Sequence, residues 1–105
     1  MRAVAFVALA GLLAACSPAE IATDVTRRAA RTVVLPVITA TTPAPANELA
    51  TDCVMANATN AELNDLARDV GNRAGTLTEQ NIRTILAKPS TQACIAGKGL
   101  APVTV

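Results

Sequence analysis

The sequence predicts an all-α protein: a small array of three or four short helices stapled by one disulfide, preceded by a cleaved signal helix and a tether helix. Three observations carry that prediction. Apolar residues after residue 59 recur at helical rather than alternating spacing, capping and breaking residues bracket each run, and Cys53 and Cys94 stand near the two ends of the same region. Composition fixes the scale. A chain of 105 residues that is 51% hydrophobic but only 1% aromatic, with no Trp, Tyr or His, allows one small domain with a core of Ala, Val, Leu and Ile.

The first element is the apolar leader. Met1 and Arg2 form a minimal basic start, and AVAFVALAGLL (3–13) follows without interruption. At about 1.5 Å per residue this run is far shorter than the roughly 30 Å hydrocarbon core of a bilayer, so it reads as a signal peptide rather than a membrane span. Its sole aromatic, Phe6, leaves with it. The segment Leu13-Ala14-Ala15-Cys16 resembles the lipobox of bacterial lipoproteins, a likeness covering only the first sixteen or so residues. The resemblance implies cleavage between Ala15 and Cys16, a diacylglycerol on the Cys16 thiol, and acylation of the new amine by a fatty acid such as palmitate. Ser17 rather than Asp after the cysteine implies, in an organism with two membranes, the periplasmic face of the outer one. Two or three acyl chains, at about 0.8 kcal/mol per buried methylene, make such an anchor effectively permanent. The competing reading is an ordinary secretory leader cut nearby, leaving Cys16 as a free thiol.

Residues 16–38 form the expected lipidated tether. In SPAEIATDVTRRAART (17–32), Pro18 suits a helix start, Glu20 and Asp24 sit near its positive end, and Arg27, Arg28 and Arg31 lie toward its negative end. Ile21, Val25 and Ala29 make one narrow apolar stripe. The three arginines have two readings: contact with anionic headgroup phosphates, or complementation of the helix dipole on a solvated face. VVLPVI (33–38) needs a cover, which is the carboxy-terminal domain, a partner or the membrane. Pro36 argues against a central strand and would kink a helix. TATTPAPAN (39–47) reads as a stiff, weakly structured linker.

The domain proper is expected over residues 48–105. With Cys16 lipidated and the chain exported, Cys53 and Cys94 are left as a disulfide pair. A helical turn over residues 51–56 carries Cys53. Thr59-Asn60-Ala61-Glu62 has the form of a capping box, Leu63, Leu66, Ala67 and Val70 follow at helical spacing, and Gly71 ends the run. Glu62, Asp65 and Asp69, interleaved with Arg68 and Arg73, read as a solvated charged face rather than a cation site. A second helix starts with Leu77 stapling to Ile82 and Thr78 as N-cap; Ile82, Ile85 and Leu86 are its buried face, Glu79 and Arg83 pair across it, and Pro89 ends it. Ser90 caps a third, carrying Cys94 and Ile95 and stopped by Gly97 and Gly99. The disulfide then ties the first helix of the domain to the last.

These features bound function. Removing the leader with Arg2 leaves side-chain charge balanced, and without aromatic stacking platforms nucleic acid is not an expected partner. Without His, Tyr or a free Cys, and with so small a helical domain, there is neither the usual general base nor room for a sizeable pocket, and no catalytic residue, metal site or cofactor is expected. The expectation is a non-catalytic accessory or interaction module of the bacterial envelope, held to the membrane by its lipid and engaging an envelope protein. Direct action on lipid, or inhibition of an envelope enzyme through the loop GNRAG (71–75) with Arg73, are the alternatives.

Overall fold

The computed structural model describes residues 18–70 and 75–105, with side chains described for 22–70, 75 and 77–105. Five helices follow one another: α1 (Pro18–Thr39), α2 (Ala46–Asn57), α3 (Asn60–Ala67), α4 (Thr76–Leu86) and α5 (Pro89–Gly97), with no strand among the described residues. The all-α array is thus present, as four short helices beside one of 22 residues. Cys16 and the Ala15–Cys16 junction lie outside the described residues, as do Gly71 and Arg73.

Helix α1 departs most from expectation. It does not stop near Thr32 or break at Pro36 but runs on to Thr39. The ring of Pro36 is on the solvent side, and hydrogen bonds close the helix beyond it: Thr39 Oγ1 to Leu35 O at 2.7 Å, Ala40 N to Pro36 O at 3.2 Å and Thr42 N to Ile38 O at 2.8 Å. A proline inside a helix costs about 3 kcal/mol. Burial offsets it here, because Ala30, Val33, Val34 and Ile38 point into the core, with Val37 packed partly against it. The cover for VVLPVI is therefore the rest of the protein. The buried stripe is not the expected one: Val25 is 61% exposed and Ala29 only half-buried, while Ile21 has no described side chain. Two stripes overlap in this helix, and the one rich in Val and Ile faces inward.

The expected linker over residues 39–47 is a compact turn. Asn47 donates from Nδ2 to Thr39 Oγ1 at 3.0 Å, Asn47 N donates to Pro43 O at 3.2 Å, and Thr41 Oγ1 donates to Thr104 O at 2.8 Å. Pro43 and Pro45 shape this turn rather than stiffening a spacer; the Ala44–Pro45 bond is cis. The folded unit starts inside α1, not near Glu48.

Helix α2 is the central element, contacting α1, α4 and α5, and it buries Asn47, Ala50, Thr51, Cys53, Val54 and Met55. α3 begins with the predicted capping box: Glu62 N donates to Thr59 Oγ1 at 3.1 Å while Thr59 N donates to Glu62 Oε1 at 2.8 Å. It ends at Ala67, so Val70 leaves the apolar face and is 47% exposed. α4 starts earlier than expected, with Gly75 as N-cap. That puts Leu77 in the first turn, 75% exposed and unable to staple to Ile82, and Thr78 inside the helix, where its hydroxyl donates to Asp69 Oδ2. α5 has Lys88 as N-cap and Pro89 at its first position, which displaces Ser90 from the capping role.

The carboxy end of α5 is closed by a Schellman motif. Gly99 has a φ of 76°, Gly99 N donates to Ala96 O and Leu100 N to Ile95 O. Glycine is needed there because an L side chain is strained at that φ. The turn redirects residues 100–105 back across the protein, burying Val103, while Arg83 Nε donates to Val105 O at 2.7 Å.

Candidate functional site

Three features carry polar chemistry, and each is assembled from more than one helix. The disulfide joins Cys53 of α2 to Cys94 of α5, with a Cα–Cα distance of 5.7 Å. Cys53 is fully buried and Cys94 partly so. Both thiols are consumed in a structural link, the pairing expected from the sequence.

The second feature escaped sequence reasoning. Lys88, between α4 and α5, extends Nζ to Asn57 O at 2.9 Å and to Glu62 Oε1 at 2.6 Å. One ammonium thus satisfies a carbonyl at the negative end of α2 and the carboxylate that caps α3. Glu62 is only 21% exposed, so it belongs to this junction and not to an open charged face. Burial pushes its carboxyl upward, but hydrogen bonds from Lys88 and from Thr59, with the charge of Lys88, outweigh burial and hold it below the ordinary carboxylate value. Nothing local in the sequence announces a contact between positions 26 apart.

A depressed carboxylate pKa stabilises the fold above the unfolded-state value of about 4.3, and that contribution is lost as pH falls through the folded-state value. Glu62→Gln, which retains an oxygen for the capping box, is accordingly expected to be less stable at neutral pH but to lose less on acidification below about pH 4.3. Lys88→Met is expected to cost about 2 kcal/mol at neutral pH, from charge-assisted hydrogen bonds worth roughly 1.5–3 kcal/mol. Urea unfolding at pH 7 and pH 3 measures both. Identical acid sensitivity in Glu62→Gln and the parent would remove Glu62 from the account.

The other carboxylates disperse. Asp65 sits 3.7 Å from Arg68 on the surface, Asp69 accepts from Thr78, and no group of three or more His, Cys, Asp or Glu side chains gathers among the described residues.

The third feature is the arginine groove between α1 and α2, about 280 Å³ in volume and lined by Arg27, Arg28, Arg31, Asp52 and Met55. Arg31 Nη1 meets Asp52 Oδ1 at 2.5 Å in a solvent-exposed pair, which contributes about 0–1 kcal/mol. Arg27 Nη1 reaches Met55 O only at the long distance of 3.4 Å. Arg28 is exposed and makes no ion pair within 4.0 Å among the described residues. The three arginines predicted to act together do line one surface, but α2 divides their roles. Other grooves, of about 220–240 Å³, lie beside α3, against the 100–105 segment and at the 41–46 turn. These four fall below the roughly 300 Å³ at which ligand pockets begin.

No described helix is long and apolar enough to cross a membrane. The chain matches no protein-family model, no curated protein and no solved structure.

Proposed function

We propose that this protein is a lipid-anchored, non-catalytic accessory module of the bacterial envelope, placed at the periplasmic face of the outer membrane where two membranes exist. The observation that carries the reading is the position of the Leu13-Ala14-Ala15-Cys16 motif: α1 starts at Pro18, two residues beyond the cysteine, and α1 is part of the stapled core. A module built this way works beside the bilayer, on a partner that is itself at the membrane. This replaces the reach that an extended 39–47 spacer would give. The buried Cys53–Cys94 link fits export to an oxidising compartment, and a chain without His or free thiol in its folded part fits an interaction role.

Cys16→Ser is expected to shift the protein from the membrane to the soluble fraction and to abolish incorporation of labelled palmitate. Unchanged fractionation would remove the anchor from the account. Crosslinking in intact cells is expected to recover a reproducible envelope protein, and recovery of none would remove the interaction role. Direct action on lipid is the second reading, favoured by the arginine groove; leakage from vesicles would then replace partner capture as the phenotype.

A further inference from the structure

Residues 100–105 form an arm laid on the helices rather than a layer of the core. Beyond Leu100 the arm makes no main-chain bond to main chain among the described residues. Its polar anchors are side chains that donate to its carbonyls, Thr41 Oγ1 to Thr104 O and Arg83 Nε to Val105 O, both in solvent. Of its side chains only Val103 is buried; Leu100 and Val105 are half-buried, and Ala101, Pro102 and Thr104 are exposed. A groove runs along each side of the arm, one of about 230 Å³ against Arg83, Leu86 and Gln92 and one of about 240 Å³ against Thr41, Pro43 and Ala46, with Val103 bordering both. The arm lies in its seat without filling it. One buried valine set against the ordering of the whole segment leaves a small margin for the seated form.

The arm leaves α5 through a hinge that packs on nothing described. Gly97, Lys98 and Gly99 are exposed, a Cβ built at Gly97 or Gly99 would meet no described atom within 4 Å, and Gly99 takes the φ of 76° that turns the arm back. Glycine accepts a straightened path as readily as the turned one. The seat itself displays what it recognises: an extended, uncharged segment with one valine to bury and two carbonyls to offer. Every copy of the chain carries that segment. We propose that two copies of this protein exchange residues 100–105, each arm pivoting at the glycine hinge to bury its Val103 in the other copy and to accept hydrogen bonds from Thr41 and Arg83 there. The contacts made in trans are those made within one chain, so exchange forfeits only the independence of the two molecules. Confinement to a surface by the lipid proposed above would raise the concentration of copies, but the exchange does not depend on it.

The test mixes two purified full chains in oxidised glutathione, one carrying Thr41→Cys and the other Thr104→Cys, both with Cys16→Ser so that only the new thiols react. Thr41 Oγ1 and Thr104 O are 2.8 Å apart, so an arm seated in the other copy brings the two thiols together. Far-UV melting verifies that each variant folds with the Cys53–Cys94 bond intact. The expected result is a linked dimer that joins position 41 of one chain to position 104 of the other, increasing with protein concentration, while neither variant alone forms a linked dimer. A statistical mixture of all three dimers would mark random collision and overturn the exchange, as would linkage in neither the mixture nor the separate variants. A single chain carrying both substitutions is expected to close an internal bond as a monomer, and its failure to do so would overturn the seat. Light scattering supplies a second readout. Gly99→Ala strains the turned hinge and not the straightened one, so the ratio of dimer to monomer is expected to rise by about tenfold per hinge. A Gly99→Ala protein that melts lower yet stays monomeric at every concentration would show a closing turn and nothing more, overturning the proposal.

Discussion

Reduction of the Cys53–Cys94 disulfide is expected to remove about 4 kcal/mol of stability, the chain-entropy value for a closed loop of this length. Few single changes matter as much in so small a protein, because a domain of this size retains only about 5–15 kcal/mol in total. The position of the link explains why little else substitutes for it. It joins central α2 to α5, which packs chiefly on α2 and otherwise touches α4 lightly. Without it, α5 is held by the burial of Thr91 and Ile95, by the bonds of Lys88 at its start and by the return of residues 100–105. At about 4–8 °C per kcal/mol, the melting temperature should fall by roughly 15–30 °C on reduction. Cys94→Ala is the cleaner variant, since Cys53 is wholly buried and its truncation adds a cavity to the lost link. A melting temperature lowered by only about 5 °C, scarcely 1 kcal/mol, would show the helices holding one another without the staple.

What was legible in the sequence was whatever is decided locally. The capping box at Thr59 and Glu62 needs only four residues, and the turn at Gly99 needs one residue able to take a positive φ. The cysteine pairing followed from elimination. Where two local signals competed, tertiary packing decided. Residues 17–38 contain two overlapping apolar stripes; Pro36 suggested a break between them, yet burial of Val34 and Ile38 carried the helix past it. Leu77 and Thr78 looked like a staple and a cap until Gly75 took the N-cap position and shifted the frame. Proline in 39–47 suits a spacer and a tight turn equally; the Asn47–Thr39 bond across the segment and the bond from Thr41 to Thr104, distant in sequence, select the turn. The arginines of the groove were visible as a cluster. Their division of labour was not, because Asp52 and Met55 come from another helix.

The sharpest distinction between a tether and a core helix lies at Ile38. Its side chain is completely buried in the cluster that includes Val34, Val54, Leu63, Leu66 and Ile95. Ile38→Ala is expected to destabilise the whole protein by about 2–5 kcal/mol, and Ile38→Asp to prevent stable folding, since an unpaired charge would be buried. Val25→Ala, on the same helix but outside the core, is expected to stay within about 0.5 kcal/mol of the parent. Were residues 16–38 a tether, both alanine variants would be equally silent in denaturant unfolding. Proteolysis separates the cases again: a spacer over 39–47 is cut in the native state, whereas a turn pinned by Thr39, Asn47 and Thr104 is cut only as the domain opens, at a rate rising with each kcal/mol that Ile38→Ala removes. Because the proposed lipid is on Cys16 rather than in the fold, the unfolded Ile38→Asp chain should still fractionate with membranes. Anchoring would persist while structure is lost, the converse of Cys16→Ser, which should release a protein of unchanged melting temperature.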